Sequence, residues 1–419
     1  MRRISLAAVL LAVCMLFSWP TPAQEVPGAI RAGDLARVKA LVEKDPGLVS
    51  VKNPAGETPL FDAVRAQRPE IAEYLLAKGA AVDAENNFHM TALHVACRGG
   101  LPLDLVRLLV EKGADVNAVS KYQGRPLDMA GDRDDRALVE YLKSKGAAFT
   151  PLTFETFKLA GGVHRLAFPW GMRNNLVVQS GPDGVLVVDS GFSKRAVEAV
   201  KKTIAGFAAG DIKLVVNTHS NWDHIAGNAL APSEAAVLGY AKLGGGSFQP
   251  ALAREAGPLR GRSGLELPAP FAMRFNGDDV QIVPYPGLHS QDDILIHFRS
   301  ARVLCMGDLL LSESCPAIGD VPGYMELLDK VLDVFPDGTT FVSGHGKDLT
   351  WQGLRKYRDD LRSMIALVKK NRDAGKGADD MVRDDILKSY KADYSHLDWL
   401  GPDWWIRGVS KSLDSGRLK

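Results

Sequence analysis

Residues 218–224 read Thr218-His219-Ser220-Asn221-Trp222-Asp223-His224, with two imidazoles, a carboxylate and an amide crowded behind an apolar run. That run, Ile212-Lys213-Leu214-Val215-Val216, predicts a short buried strand. The donors then fall on the loop at its carboxyl end, where open α/β sheets place their chemistry. Imidazole and carboxylate together suit zinc, and less selectively iron or manganese.

Three further candidates follow in order, each behind a β-branched or apolar run. His289 ends Pro286-Gly287-Leu288-His289 after Val280-Gln281-Ile282-Val283; Asp308 ends Val303-Leu304-Cys305-Met306-Gly307-Asp308; His345 lies in Phe341-Val342-Ser343-Gly344-His345-Gly346. A glycine beside or near each lets the backbone turn sharply and leaves room for an ion.

The ordered set resembles the metallo-β-lactamase superfamily, whose signature is His-x-His-x-Asp-His, then a His, a bridging Asp or Cys, and a last His. The resemblance covers about residues 159–413, with Asn174-Asn175-Leu176-Val177-Val178 and Gly184-Val185-Leu186-Val187-Val188-Asp189-Ser190-Gly191 similar to the opening strands and Asp189 in the place of the structural aspartate. Carried over by position, the resemblance implies one metal on His219, Asn221 and His289, a second on Asp223, His224 and His345, and Asp308 bridging them. Asn221 stands where the family has its second His. An amide oxygen is a poorer zinc ligand than an imidazole nitrogen, so the first site is expected to be the weaker and a one-metal protein is an open alternative.

At 419 residues the chain exceeds the usual single-core size, and 46% hydrophobic with 24% charged residues is ordinary for a globular protein. A formal charge of +1 gives no electrostatic case for a nucleic-acid partner. Arg2 and Arg3, an apolar core over residues 6–17 and Thr21-Pro22-Ala23 together read as a cleavable secretory signal over residues 1–23, implying a periplasmic or secreted protein. The apolar core is too short to span a bilayer, and no integral span is expected elsewhere. Val13 before Cys14 argues against a lipoprotein. Cys97, Cys305 and Cys315 have no metal spacing; Cys97 and Cys305 read as buried small hydrophobes, and a Cys305–Cys315 bridge stays open.

Between leader and metal-binding region the sequence repeats every 33 to 34 residues. Gly56-Glu57-Thr58-Pro59-Leu60-Phe61-Asp62-Ala63 is echoed by Met90-Thr91-Ala92-Leu93-His94-Val95-Ala96 and Gly124-Arg125-Pro126-Leu127-Asp128-Met129-Ala130. Lys78-Gly79-Ala80-Ala81-Val82-Asp83-Ala84 returns as Lys112-Gly113-Ala114-Asp115-Val116-Asn117-Ala118 and, truncated, as Lys145-Gly146-Ala147-Ala148. These segments resemble ankyrin repeats. Ile71, Leu75 and Leu76, then Leu105, Val106, Leu108 and Leu109, recur at helical spacing and can be buried only by stacked neighbours. Residues 30–51 read as a degenerate cap, His94 as a structural histidine of the repeat, and His89 as a solvated loop residue able to meet a partner.

The boundary falls near residues 149–155. Beyond it, Phe168-Pro169-Trp170-Gly171-Met172 reads as an apolar hairpin tip, where Trp170 is either a substrate flap or surface packing. Residues 244–270 read as a long Gly/Pro/Arg-rich loop able to wall the site. Residues 354–368 are helical by periodicity, and Trp399, Trp404 and Trp405 read as packing, as do His164, His297 and His396 as structural residues.

The expected organisation is thus a signal over residues 1–23, an all-α ankyrin solenoid over 26–149, and a four-layer αβ/βα metallo-β-lactamase-like sandwich over 155–419. The resemblance implies hydrolysis assisted by one or two zinc ions, with Asp223 holding the hydroxide that zinc generates from water at neutral pH. With Asp308 in the bridging place, the resemblance implies first an ester, thioester, lactone or related small-molecule substrate. The alternatives are a β-lactam, an iron-dependent persulfide oxidation, and a periplasmic scaffold whose repeats bind a protein while the metal domain is inactive.

Overall fold

The computed structural model describes residues 22–121, 124–133, 135–168, 173–191, 196–239, 265–266 and 270–418. Most of the leader, the hairpin tip with Trp170, and nearly all of residues 244–270 lie outside them. The chain divides between Thr150 and Pro151 into two compact units.

The first unit is built of helix pairs: Pro22–Ala32 with Leu35–Lys44, Pro59–Arg65 with Pro69–Ala77, Ala92–Gly99 with Leu103–Glu111, and Pro126–Asp132 with Arg136–Ser144. Pro59, Pro69 and Pro126 open their helices, where a fixed φ helps and no amide hydrogen is needed. Asp34 and Asp135 cap theirs by accepting from Arg37 N and Leu138 N. The periodic residues do what their spacing demands: Ile71, Leu75, Leu105, Val106 and Leu109 are buried in one continuous core, with Leu76 and Leu108 packed against it. His94 is fully buried, its Nδ1 accepting from Thr91 N at 3.1 Å and its Nε2 lying 3.2 Å from Gly124 O, so it ties one repeat to the next.

In the second unit the described strands are β1 (Glu155–Ala160), β2 (Val163–Ala167), β3 (Asn175–Gly181), β4 (Gly184–Val188), β5 (Ile212–Val216), β6 (Ala236–Gly239), β7 (Leu265–Glu266), β8 (Phe271–Phe275), β9 (Asp278–Pro284), β10 (Ile294–Phe298), β11 (Val303–Cys305) and β12 (Thr340–Val342). They form a seven-stranded sheet in the order β1 to β7 and a five-stranded sheet in the order β12-β11-β10-β9-β8. The first is antiparallel up to β4 and parallel from β4 onward. In the second, β9 and β11 both run antiparallel to β10, and β12 runs parallel to β11.

Val177, Leu186, Val188, Leu214 and Val216 of one sheet meet Val280, Ile282, Ile296, Phe298 and Val342 of the other in a buried apolar interior. The outer face of the first sheet packs on helix Ala196–Ala205. Helices Val321–Val334, Trp351–Asp373 and Pro402–Asp414 cover the second. Four layers, αβ/βα, result. Because β9, β11 and β12 point the same way, the loops that follow them, carrying His289, Asp308 and His345, emerge on one edge.

Cys97, Cys305 and Cys315 are buried free thiols, so the Cys305–Cys315 bridge does not form. Trp405 is wholly buried in the core beneath the second sheet and Trp404 packs against it, as expected of packing residues. Among the described residues no helix is long and apolar enough to cross a membrane.

Candidate metal centre

The loop after β5 begins with Asn217 and Thr218 and runs into the short helix Trp222–Ile225, which turns Asp223 and His224 inward. His219, Asp223, His224, Asp308 and His345 are buried, and His289 is nearly so. Two groups of three are close enough to share an ion: His219, His289 and Asp308, and Asp223, His224 and His345, with candidate ligand atoms in each group within 4.8 Å of one another. Asp308 stands between them. Its Oδ2 lies 3.4 Å from His289 Nε2 and 3.7 Å from His219 Nε2, while its Oδ1 lies 3.2 Å from His224 Nε2 and 3.3 Å from His345 Nε2. Asp223 Oδ2 is 3.3 Å from His345 Nε2 and 3.7 Å from His224 Nε2.

The rings are aimed from behind. His224 Nδ1 donates to Asp189 Oδ2 at 2.8 Å and His289 Nδ1 to Ala317 O at 2.9 Å, which leaves each Nε2 as the lone-pair nitrogen facing inward. Asp189 itself adopts φ +59°, a conformation that Asp tolerates better than most residues, and its Oδ1 also accepts from Thr218 N at 2.7 Å. Asp293, whose carboxyl is pushed up to about 6 by burial, accepts from His289 N and Ser290 N and so sets the His289 loop. The loops meet so closely that a Cβ on Gly344 would overlap Asp308 Oδ1 and come within 2.7 Å of the Gly307 carbonyl carbon. Glycine is required there by contact rather than by φ.

Electrostatics and polar satisfaction both ask for a cation. His219 Nε2, His224 Nε2 and Asp308 Oδ1 are buried without a hydrogen-bond partner, a costly condition for ordinary core groups. Burial alone would push the Asp223 and Asp308 carboxyls up, yet the imidazoles of His224 and His345 hold both well below the usual range. Burial likewise opposes a charge on the rings, but Asp308 and Asp223 raise His345 to about 9, and Asp189, Asp308 and Asp223 raise His224. His219, buried and crowded by His224, is driven down. The donor set therefore fits a divalent metal, and zinc, iron and manganese all accept such ligands.

Asn221 differs from the expected amide-oxygen ligand. Its Nδ2 lies 3.0 Å from His289 Nε2, and with Nδ1 of that ring already donating to Ala317 O, the amide must be the donor. Asn221 thus presents its nitrogen, and it occupies the same lone pair that an ion at the first group would use. Of the other histidines, His164 packs at a tilt against Phe207 and His297 meets Phe335 edge to face, outside the cluster.

Comparison with known proteins agrees with this geometry. Residues 168–367 match the model of the Metallo-beta-lactamase superfamily, residues 78–151 that of Ankyrin repeats (3 copies), and residues 55–87 that of a single Ankyrin repeat. The second unit is a metallo-β-lactamase superfamily domain, and ankyrin repeats precede it. Such a domain supports metal-dependent hydrolysis in general, and ankyrin repeats support protein interaction. Among curated proteins, the chain is similar to Protein phosphatase 1 regulatory subunit 27 of Homo sapiens, 32% identical over 27% of this chain and 73% of that protein. It is also similar to Alpha-latrotoxin-Lg1a of Latrodectus geometricus, 34% identical over 27% of this chain but only 8% of the toxin, and to Ankyrin repeat domain-containing protein 63 of Mus musculus, 29% identical over 34% of this chain and 41% of that protein.

Two features of the metallo-β-lactamase domain's centre went unread as functional in the sequence. Asn174 donates to Asp223, and Asp293 holds the backbone of His289. The signal available for each was a polar pair, Asn174-Asn175 and Asp292-Asp293, interrupting otherwise apolar strand ends.

Proposed function

We propose that this protein is an exported, zinc-dependent hydrolase of an ester, thioester, lactone or related bond in a small molecule. The observation that carries this is Asp308, whose two carboxylate oxygens face different groups of imidazoles inside one buried cluster. His219, His289 and Asp308 would hold one ion, and Asp223, His224 and His345 the other, with Asp308 shared. A bound divalent ion supplies Lewis acidity toward the scissile group and makes water reactive near neutral pH. Asp223 would hold and orient the attacking water, its carboxylate being buried, kept ionised by the neighbouring imidazoles and fixed by an amide donor. Asp308 keeps the two groups at fixed separation. Because Asn221 caps His289 Nε2, the second group is the tighter site and the first fills only where an ion displaces that hydrogen bond.

Export rests on the leader residues, and the repeats supply a surface for a protein partner. Both are tested directly, by the N-terminal mass of protein recovered from the periplasmic fraction and by the partner bound to the intact chain. For the chemistry, purified full-length protein is assayed for metal content and then against chromogenic ester, thioester, lactone, phosphodiester, sulfate-ester and β-lactam substrates. Turnover of the first three, abolished by Asp223→Ala and by Asp308→Ala, is the expected result. A fully metal-loaded protein inert on every substrate would leave the scaffold role standing instead.

A further inference from the structure

Two adjacent asparagines at the start of β3, one of them the amide donor to Asp223, stand behind the second group. Asn174 is 1% exposed and sends Nδ2 to Asp223 O at 3.0 Å and to Asp223 Oδ2 at 3.3 Å. Asn175 is 4% exposed and sends Nδ2 to Ser343 O and to Gly346 O, both at 2.8 Å, while its backbone N–H donates to Gly344 O at 3.0 Å. The first grips the residue at one end of the group. The second grips both flanks of His345, at the other end.

The amide orientations follow from their surroundings. Turning Asn174 over would set its oxygen against a carbonyl and a carboxylate; turning Asn175 over would do the same against two carbonyls and would face its NH2 toward Arg165 Nη1, which now donates to Asn175 Oδ1 at 2.8 Å. Arg165 is in turn held by Asp348 through Nε at 2.8 Å. An isolated bridge between Asn174 and His345 fixes the register of the two segments. Peptide geometry then links Asp223 to His345 through two consecutive residues.

We propose that Asn174 and Asn175 are positioning residues, a brace that sets the separation and orientation of Asp223 and His345 and so tunes the metal affinity of the second group. Asn174 directs Asp223 Oδ2 by donating to it, in the way that outer hydrogen bonds orient ligating carboxylates. Asn175 prevents the glycine-flanked His345 loop from drifting. The first group, His219, His289 and Asp308, receives neither of these bonds. The proposal rests on the reading that the second group binds metal.

The test is a cobalt(II) titration of full-length protein, following the visible absorption of the bound ion, on wild type, Asn174→Ala, Asn174→Asp, Asn175→Asp and His345→Ala. Asn174→Asp keeps size and removes the donor; Asn175→Asp keeps the acceptor for Arg165 and removes both donations. Each asparagine variant is expected to weaken the tighter cobalt site by about 10- to 100-fold and to alter its absorption spectrum at saturation. A merely structural role would lower the melting temperature and leave the saturated spectrum unchanged. If wild type and His345→Ala bind cobalt alike, the metal reading of the second group fails. If His345→Ala loses the tight site while the folded asparagine variants match wild type in affinity and spectrum, the brace alone is overturned. Should Asn174→Ala not fold, the isosteric Asn174→Asp is read by the same outcomes.

Discussion

Replacing Asp189 by Asn tests how the second group is held ready for a metal. The change keeps shape, and Asn tolerates the left-handed backbone at φ +59° as well as Asp does. Thr218 N–H, a fixed backbone donor 2.7 Å from Oδ1, retains the remaining oxygen, so the new NH2 group faces His224 Nδ1, where a carboxylate oxygen stood at 2.8 Å. His224 then accepts at Nδ1 and carries its proton on Nε2, the nitrogen 3.2 Å from Asp308 Oδ1. That is the wrong tautomer for a ligand. Returning to the competent one sets N–H against N–H and forfeits a hydrogen bond to a charged group, worth about 1.5–3 kcal/mol, or about 10- to 100-fold in affinity. Competition titration with zinc, on full-length wild type and Asp189→Asn at one pH, measures this, with circular dichroism establishing that the fold is kept. Equal zinc affinity in a folded variant would refute the tautomer argument and, with it, ligation through His224 Nε2.

Four other outcomes are expected. Asn221→His should bring two unequal metal affinities closer by offering an imidazole where an amide now caps His289; calorimetry showing two equal tight sites in wild type, unmoved by the substitution, would count against this. Gly344→Ala should cost about 1–3 kcal/mol of stability and weaken metal binding, because the new methyl overlaps Asp308 Oδ1; an unchanged melting temperature and metal content would contradict the close approach. His94, whose burial lowers it from an ordinary 6.5 to about 4, favours the neutral ring in the folded state, so its contribution is full above pH 6.5 and is lost as pH falls toward 4. The repeat unit should lose about 3 kcal/mol across that window in denaturant titrations, and a flat profile would sink the assignment. A chain starting at Pro151 should remain folded and hold metal, because the second unit has its own core; insoluble or metal-free product would show that the repeats complete it.

Much of the local structure was legible in the residues. The apolar run 212–216 is β5, and the repeated Leu/Ile/Val spacing is the buried face of the repeat helices. Periods of two and of 3.6 leave their mark on any few consecutive residues, so burial patterns can be read without knowing the neighbours. The six His and Asp residues at strand ends were likewise visible as a set, because each needs a turn-forming glycine or loop beside it, and the structure brings them together. The helix after His345 runs over Trp351–Asp373, longer at both ends than residues 354–368, because its exposed polar turns carry no periodic apolar signal.

Pairings across the chain were decided only by the tertiary structure. That Asp308 Oδ1 faces His224 and His345 while Oδ2 faces His219 and His289 depends on how β11 lies between β10 and β12. That Asn221 offers nitrogen rather than oxygen follows from which ring nitrogen of His289 is already committed to Ala317 O. The roles of Asn174 and Asn175 depend on contacts 49 and 168 residues away. Local sequence specifies which face of a segment is apolar and which donors it carries, because those are properties of neighbouring residues. Hydrogen-bond direction, tautomer and ligand separation depend on atoms brought close only when the two sheets pack, and no short stretch of sequence contains both partners.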